Sequence, residues 1–183
     1  MSSAPESTLV ILVPSAEATV GKLRRKLDRS AAWAVPLHIT VLYPFAAPNS
    51  MSEQLLARLG DVLRRCEPFE FALAKVGWFE QRVMYLAPTP REPFAELTNA
   101  IAADFPEHPP YGGAYSEAVP HLTVGEGVRP ARMRRAARRL ERQLPIRATA
   151  TEVCLMAPDS SGRWDIERRF PLGRTVSPEP TIS

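Results

Sequence analysis

A four-residue motif occurs twice in this 183-residue chain, once in each half. The first copy, His38–Val41, reads HITV, and the second, His121–Val124, reads HLTV. A proline stands just upstream of each copy, and two of the chain's 3 histidines fall within the repeat. An internal repeat of this kind predicts two similar structural units within one fold.

Each copy has the pattern of a β-strand that is buried on one face. Side chains alternate along a strand, so His38 and Thr40 share one face, about 7 Å apart, while Ile39 points into the core. The same alternation places His121 and Thr123 together. If the two units face each other, four polar side chains converge on one cleft.

Two imidazoles and two hydroxyls suit the chemistry of a phosphate ester. A neutral imidazole can take a proton from an attacking water, and an imidazolium can protonate the leaving oxygen. Histidine can supply both forms because its ordinary pKa, about 6.5, lies close to neutral pH. Threonine hydroxyls can hydrogen-bond the phosphoryl oxygens on which charge develops.

The paired motifs resemble the H-x-T-x motifs of the two-histidine (2H) phosphoesterase superfamily. Within it, the chain is most similar to the bacterial branch described as 2′-5′ RNA ligase or RNA 2′,3′-cyclic phosphodiesterase, over roughly residues 8–172. The resemblance implies a bilobed α+β fold. Two lobes related by a pseudo-twofold axis, each with an antiparallel sheet and helices, would enclose a central cleft.

The resemblance also implies a function. The chain would be a phosphodiesterase that needs no metal or other cofactor and acts on 2′,3′-cyclic phosphates or 2′-5′ bonds of RNA ends or small cyclic nucleotides. His38 and His121 would be the acid and base, in an order that the motifs do not assign, and Thr40 and Thr123 would hold the phosphate. The alternative is a non-catalytic module of the same fold that binds nucleotide or RNA.

One position departs from the pattern of relatives that process RNA ends. Those relatives often carry an arginine shortly after the second motif, where this chain has Glu126. A carboxylate there would repel a phosphate if it faced the cleft. This departure counts against RNA as the substrate more than against phosphodiester chemistry itself.

Four aromatic residues near the motifs are candidates for stacking on a nucleobase. Tyr43 continues the first motif strand, Trp78 ends a predicted strand, and Tyr111 and Tyr115 lie in the loop before the second motif. Because Tyr43 stands five residues after His38, it should point away from the histidine face unless the strand bulges. Packing in the core is the alternative for each of the four.

Strands and helices alternate along the chain, which indicates an α/β or α+β class. Strands are predicted at residues 9–13, 37–45, 69–79, 83–86, 121–124, 146–156 and 164–170. Helices are predicted after Ser15, after capping boxes at Ser50 and Thr89, and between Pro130 and Pro145. We expect one domain over residues 1–173 and a disordered tail over 174–183.

Composition argues against a membrane or secreted protein. Hydrophobic residues make up 45% of the chain, but no aliphatic run approaches the ~20 residues of a membrane span. No signal-peptide pattern precedes the first strand, so we expect a cytoplasmic protein, and a monomer. Cys66 and Cys154 show no C-x-x-C spacing and are expected to be reduced thiols.

Positive charge is concentrated in one segment. The chain carries a formal net charge of +3, and residues 129–142 hold seven arginines against one glutamate. Met133, Ala136 and Leu140 recur there at helical spacing, so the arginines cover the outer surface of a predicted helix. Two interpretations stay open, a solvated face whose arginine stems cover apolar surface and a surface for nucleic acid.

Overall fold

The computed structural model describes residues 6–33, 35–114 and 118–173. Tyr115 and the predicted tail lie outside these residues. Within them the chain forms strands β1 Thr8–Leu12, β2 His38–Leu42, β3 Phe69–Phe79, β4 Val83–Thr89, β5 Leu122–Glu126, β6 Ile146–Ala150, β7 Glu152–Pro158 and β8 Trp164–Pro171. The four α-helices of the described residues are α1 Lys22–Leu27, α2 Glu53–Leu63, α3 Glu92–Asp104 and α4 Pro130–Leu140.

The strands form two antiparallel four-stranded sheets, which confirms the α+β class. The first sheet has the order β2-β1-β7-β8 and the second has the order β5-β4-β3-β6. The two motif strands, β2 and β5, are therefore edge strands, and they contact each other. Their aliphatic motif residues are buried as predicted: Ile39, Val41, Leu122 and Val124.

The first motif strand carries a bulge at the fourth motif position. Thr40 pairs with Val10, whereas Leu42 pairs with the adjacent Leu9, so Val41 is an extra residue on β2. A bulge of this kind shifts the alternation of side chains by one residue. Val41 and Leu42 are consequently both buried in the core.

The second motif strand carries a bulge at the same place. Thr123 pairs with Tyr85, whereas Gly125 pairs with the adjacent Met84, so Val124 is the extra residue. The internal repeat therefore extends beyond the sequence of the motif to its irregular backbone register.

Each bulge is contacted by the helix of the other half of the chain. Helix α3 packs on β2, where the Thr98 hydroxyl lies 2.9 Å from the Val41 carbonyl oxygen. Helix α1 packs on β5, where Leu27 lies against Gly125. A Cβ on Gly125 would stand 3.1 Å from the Leu27 Cβ, so a larger residue fits there only if the neighbouring side chains shift.

Residues 146–156, predicted as one strand, are two strands in different sheets. β6 pairs with β3 in the second sheet, and β7 pairs with β1 and β8 in the first. The prediction was wrong because a continuous apolar run indicates extended backbone but does not identify its partner strands. The consecutive strands β3 and β4 pair as an antiparallel hairpin, and so do β7 and β8.

Helix starts differ from the predicted capping boxes. Ser52, not Ser50, caps α2, because its Oγ accepts a hydrogen bond from the Leu55 amide at 3.1 Å. Thr89 ends β4 and makes no cap to α3, which begins at Glu92. Ser15 lies in a short 3-10 turn without a side-chain cap. Helix α4 begins at Pro130 and buries its predicted apolar face.

A single cluster of buried side chains joins both sheets and all four helices. Among the described residues, no helix is both long enough and apolar enough to cross a membrane.

We expect Gly125→Ala to lower the free energy of unfolding by about 1 kcal/mol or more, because the added methyl overpacks the contact with α1. Gly60→Ala in α2 is the matched control, since its Cβ meets only ordinary contacts at 3.5 Å and beyond. Alanine there should raise stability by up to about 1 kcal/mol through helix propensity. Urea unfolding of both variants measures the difference, and equal shifts would contradict the close approach of α1.

Candidate active site

Both motif histidines are held in the same way. The Nδ1 of His38 lies 2.8 Å from the Pro36 carbonyl oxygen, and the Nδ1 of His121 lies 2.7 Å from the Val119 carbonyl oxygen. Because a carbonyl only accepts, each Nδ1 carries the proton and donates it. In the neutral ring, each Nε2 therefore keeps a free lone pair that can accept a proton.

The structure brings the four polar motif residues together. His38, Thr40, His121 and Thr123 are all half-buried, and they lie on edge strands that contact each other. The two rings are close enough that His121 electrostatically lowers the pKa of His38. Two imidazoles and two hydroxyls are thus carried by neighbouring edge strands of the two sheets.

The pKa of His38 is lowered to about 4. Burial is the largest cause, and the hydrogen bond to Pro36 opposes it. The positive charge of Arg24 lowers the pKa further, while the carboxylate of Asp28 raises it. His38 is therefore held in its neutral form at neutral pH.

The surroundings of His121 differ in charge. Burial lowers its pKa, while the hydrogen bond to Val119 and the carboxylate of Glu126 raise it. Two aromatic rings pack against the imidazole in edge contacts, Phe79 with its centroid at 4.9 Å and Tyr85 at 5.4 Å. The carboxylate of Glu126 thus acts on His121, whereas both charges of the Arg24–Asp28 pair act on His38, with the effect of Arg24 the larger.

A buried ion pair joins the two motif strands, and sequence reasoning missed it. Arg24 Nε donates to Asp28 at 3.0 Å, and both side chains are almost fully buried. Arg24 Nη1 also donates to the Val35 carbonyl, just before β2, while the backbone of Asp28 pairs with that of Glu126 at the end of β5. One signal in the sequence could have indicated a buried charge: Arg24 stands four positions after Val20, on the apolar side of a predicted helix.

Tyr85 is a second site residue that the sequence did not reveal. It stands directly opposite Thr123 in the ladder, and its ring stacks on Phe79 with centroids 4.3 Å apart. The ring lies over Gly77, where a Cβ would come within 2.3 Å of it. Its position depends on the pairing of β4 with β5, which the local sequence does not specify.

Tyr43 and Tyr111 lie together at one end of the site. The bulge at Val41 shifts the alternation of side chains along the strand by one residue, so Tyr43 lies on the same side of the sheet as His38. The Tyr43 side chain is exposed. The Tyr111 amide donates to the Tyr43 carbonyl at 2.6 Å. The loop before the second motif therefore closes against the end of the first motif strand.

The remaining sequence candidates do not join this group. Trp78 pairs with the fully buried Met84 and packs against the core, on the opposite face from Gly77 and Tyr85. Its predicted stacking role does not fit this position, because β3 alternates and places Trp78 and Gly77 on different faces. Tyr115 lies outside the described residues.

Glu126 lies at the position of β5 that corresponds to Tyr43 on β2. The side chain is exposed, yet its charge acts on His121. Across residues 6–33, 35–114 and 118–173, no group of three or more His, Cys, Asp or Glu side chains is placed to hold a metal ion. Cys66 and Cys154 are free thiols.

Comparison with known proteins agrees with this architecture. The family model described as the 2′-5′ RNA ligase superfamily matches residues 12–162, so the chain belongs to that family. A Bacillus cereus (strain G9842) protein named "Putative phosphoesterase" is 25% identical over 158 residues, covering 83% of this chain and 87% of that protein. Bacillus anthracis proteins of the same name match at the same identity.

Solved structures share the fold. E. coli LigT complexed with NADP+ superposes with a TM-score of 0.59 and 20% identity over 94% of this chain and 100% of that one. TT0787 of Thermus thermophilus gives a TM-score of 0.60 and 16% identity over 92% and 99%. The expected bilobed fold is thereby confirmed.

The lowered pKa of His38 predicts loss of stability in acid. The unfolded chain takes up a proton near pH 6.5 and the folded chain only near pH 4, so the free energy of unfolding falls as pH drops through this window. The loss from this one group amounts to up to about 3 kcal/mol.

Urea unfolding at pH 7 and at pH 4.5 measures this loss. In His38→Asn the amide can still donate to Pro36 but does not titrate, so the drop in stability between the two pH values should shrink. An unchanged drop would show that His38 titrates normally in the folded protein.

Proposed function

We propose that this chain is a metal-independent phosphodiesterase that hydrolyses 2′,3′-cyclic phosphates or 2′-5′ phosphodiester bonds of RNA ends or small nucleotides. The observation that supports this most directly is the matched pair of imidazoles. Each has its Nδ1 engaged by a carbonyl and its Nε2 free to exchange a proton. Family membership supports phosphoester chemistry in general.

The proposed reaction uses one histidine as base and the other as acid. The base takes a proton from water as the water oxygen bonds to phosphorus. The bond from phosphorus to one ribose oxygen breaks, and the acid protonates that oxygen, which leaves a phosphomonoester. The hydroxyls of Thr40 and Thr123 donate to the phosphoryl oxygens. A bound phosphate anion raises the pKa of a nearby imidazole, which allows one ring to carry the proton.

The charges beside the two rings favour one assignment of roles. At His38 the positive charge of Arg24, which opposes protonation, outweighs the carboxylate of Asp28, which favours it, whereas Glu126 favours protonation of His121. We therefore assign the base to His38 and the acid to His121. Glu126, the residue that departs from the family pattern, then stabilises the protonated form of His121, which must carry a proton as the acid.

The aromatic end of the site is the proposed place for a nucleobase. Tyr43 is 40% exposed and follows the first motif strand, and the Tyr111 amide is hydrogen-bonded to its carbonyl, so both side chains are candidates for stacking on a base. E. coli LigT, which shares the fold, has been crystallised with 3′-AMP and with ATP. We propose that the base of a small nucleotide or of an RNA end stacks on these tyrosine side chains.

Alanine at either motif histidine should reduce turnover of a 2′,3′-cyclic mononucleotide by about 10² or more, because each removes one proton transfer. His108→Ala is the control, since His108 packs on Phe45 outside the motifs. Activity is expected to persist in EDTA. Full turnover in both motif variants would reject the mechanism, and binding without any turnover by the wild type would support the non-catalytic alternative.

Glu126→Gln should move the basic limb of the kcat/KM pH profile to lower pH, because removing the carboxylate lowers the pKa of the acid His121. Arg24→Gln should move the acidic limb to higher pH, because removing the positive charge raises the pKa of the base His38. Glu126 is exposed, so its variant should fold even if the buried Arg24 cannot be replaced. If Glu126→Gln shifts the acidic limb instead, the two roles are reversed.

A further inference from the structure

A positively charged surface lies next to the His38 end of the site. Its centre is a cavity of about 520 Å³ that is lined by Arg25, Lys26, Arg29 and Val128, among other residues. We call Arg25, Lys26 and Arg29 the basic rim. The rim lies on α1 and on the short 3-10 helix Arg29–Trp33 that follows it.

The positive charge of the rim is only partly neutralised. Asp28 in the cavity wall is turned to Arg24, and Arg25 pairs with the exposed Glu17 at 2.7 Å. Within the part of the chain that the structure describes, Lys26 and Arg29 form no ion pair. Arg29 lies along Gly127, just after β5.

Helix α4 extends the positive charge beyond the rim. It packs against α1, and it contains five arginines and no acidic residue. The positive charge of residues 129–142 is therefore adjacent to the basic rim. Neighbouring cations of one sign create the local potential that attracts polyanions.

The rim is continuous with the site. The Asp28 backbone pairs with that of Glu126 on β5, and its partner Arg24 acts on His38. Trp33, at the end of the 3-10 helix and five residues before His38, is 56% exposed. Exposed aromatic side chains beside cations are typical of surfaces that bind single-stranded nucleic acid.

We propose that the basic rim binds the ribose-phosphate backbone of single-stranded RNA whose end occupies the site. This inference rests on the proposed function, and it names RNA as the favoured substrate despite Glu126. The cavity, Trp33 and the continuity with the site favour RNA over an anionic membrane, which would need only the charge.

The test compares two double variants with the same change of charge. The rim variant, Lys26→Glu with Arg29→Glu, reverses two positive charges of the basic rim. The control variant, Arg147→Glu with Arg163→Glu, reverses the charge of two exposed arginines, one on β6 and one just before β8. These two strands form the sheet edges opposite the motif strands. Fluorescence anisotropy measures binding of a ten-nucleotide RNA and of a dinucleotide, both ending in a 2′,3′-cyclic phosphate, to proteins that also carry His121→Ala. Anionic phosphatidylserine vesicles serve as the second probe.

The rim variant should bind the ten-nucleotide RNA at least about tenfold more weakly than the control variant, and the advantage of the longer RNA over the dinucleotide should collapse. Its salt dependence should also weaken, by about 0.7 in slope for each lost phosphate contact. Equal affinities in the two variants, or a loss confined to vesicle binding, would overturn the proposal. Turnover by the wild type is scored separately, so failure of the rim proposal is distinguished from failure of the proposed function.

Discussion

The buried pair of Arg24 and Asp28 holds the two motif strands in a fixed relation. Edge strands of different sheets share no ladder of hydrogen bonds, so the distance between their histidines is set by side-chain packing and by bridging contacts such as this one. Arg24 reaches the carbonyl before β2, and Asp28 pairs with the end of β5. Removing one partner of such a pair leaves an uncompensated buried charge, which costs about 3–5 kcal/mol. The geometry of the site therefore depends on a contact that neither motif contains.

Much of the site could be predicted because it follows from alternation along a single strand. The faces of His38 and His121, and the burial of the aliphatic residues between them, need only the two-residue period. The bulges, the pairing of Tyr85 with Thr123 and the division of β6 from β7 depend on partner strands that are distant in sequence. Arg24 was missed because burial of an arginine requires a specific partner, and the partner is visible only in the folded chain.

The two ends of the site differ although the scaffold repeats. In each half, the segment before one motif contacts the end of the other motif strand, Asp28 at Glu126 and Tyr111 at Tyr43. Both contacts join backbone atoms, but the residues at one carry carboxylates and those at the other carry aromatic rings. Under the proposed function and the proposed role of the basic rim, a substrate would bind with its base at the aromatic end and its charged chain at the opposite end.

The sheets also exchange strands between the halves. The first half contributes β3 and β4 to the second sheet, and the chain returns after β6 to complete the first sheet with β7 and β8. Neither half contains all the strands of one sheet. A polypeptide that ended at the midpoint would therefore expose unpaired strand edges, which it could cover by exchanging strands with a second molecule.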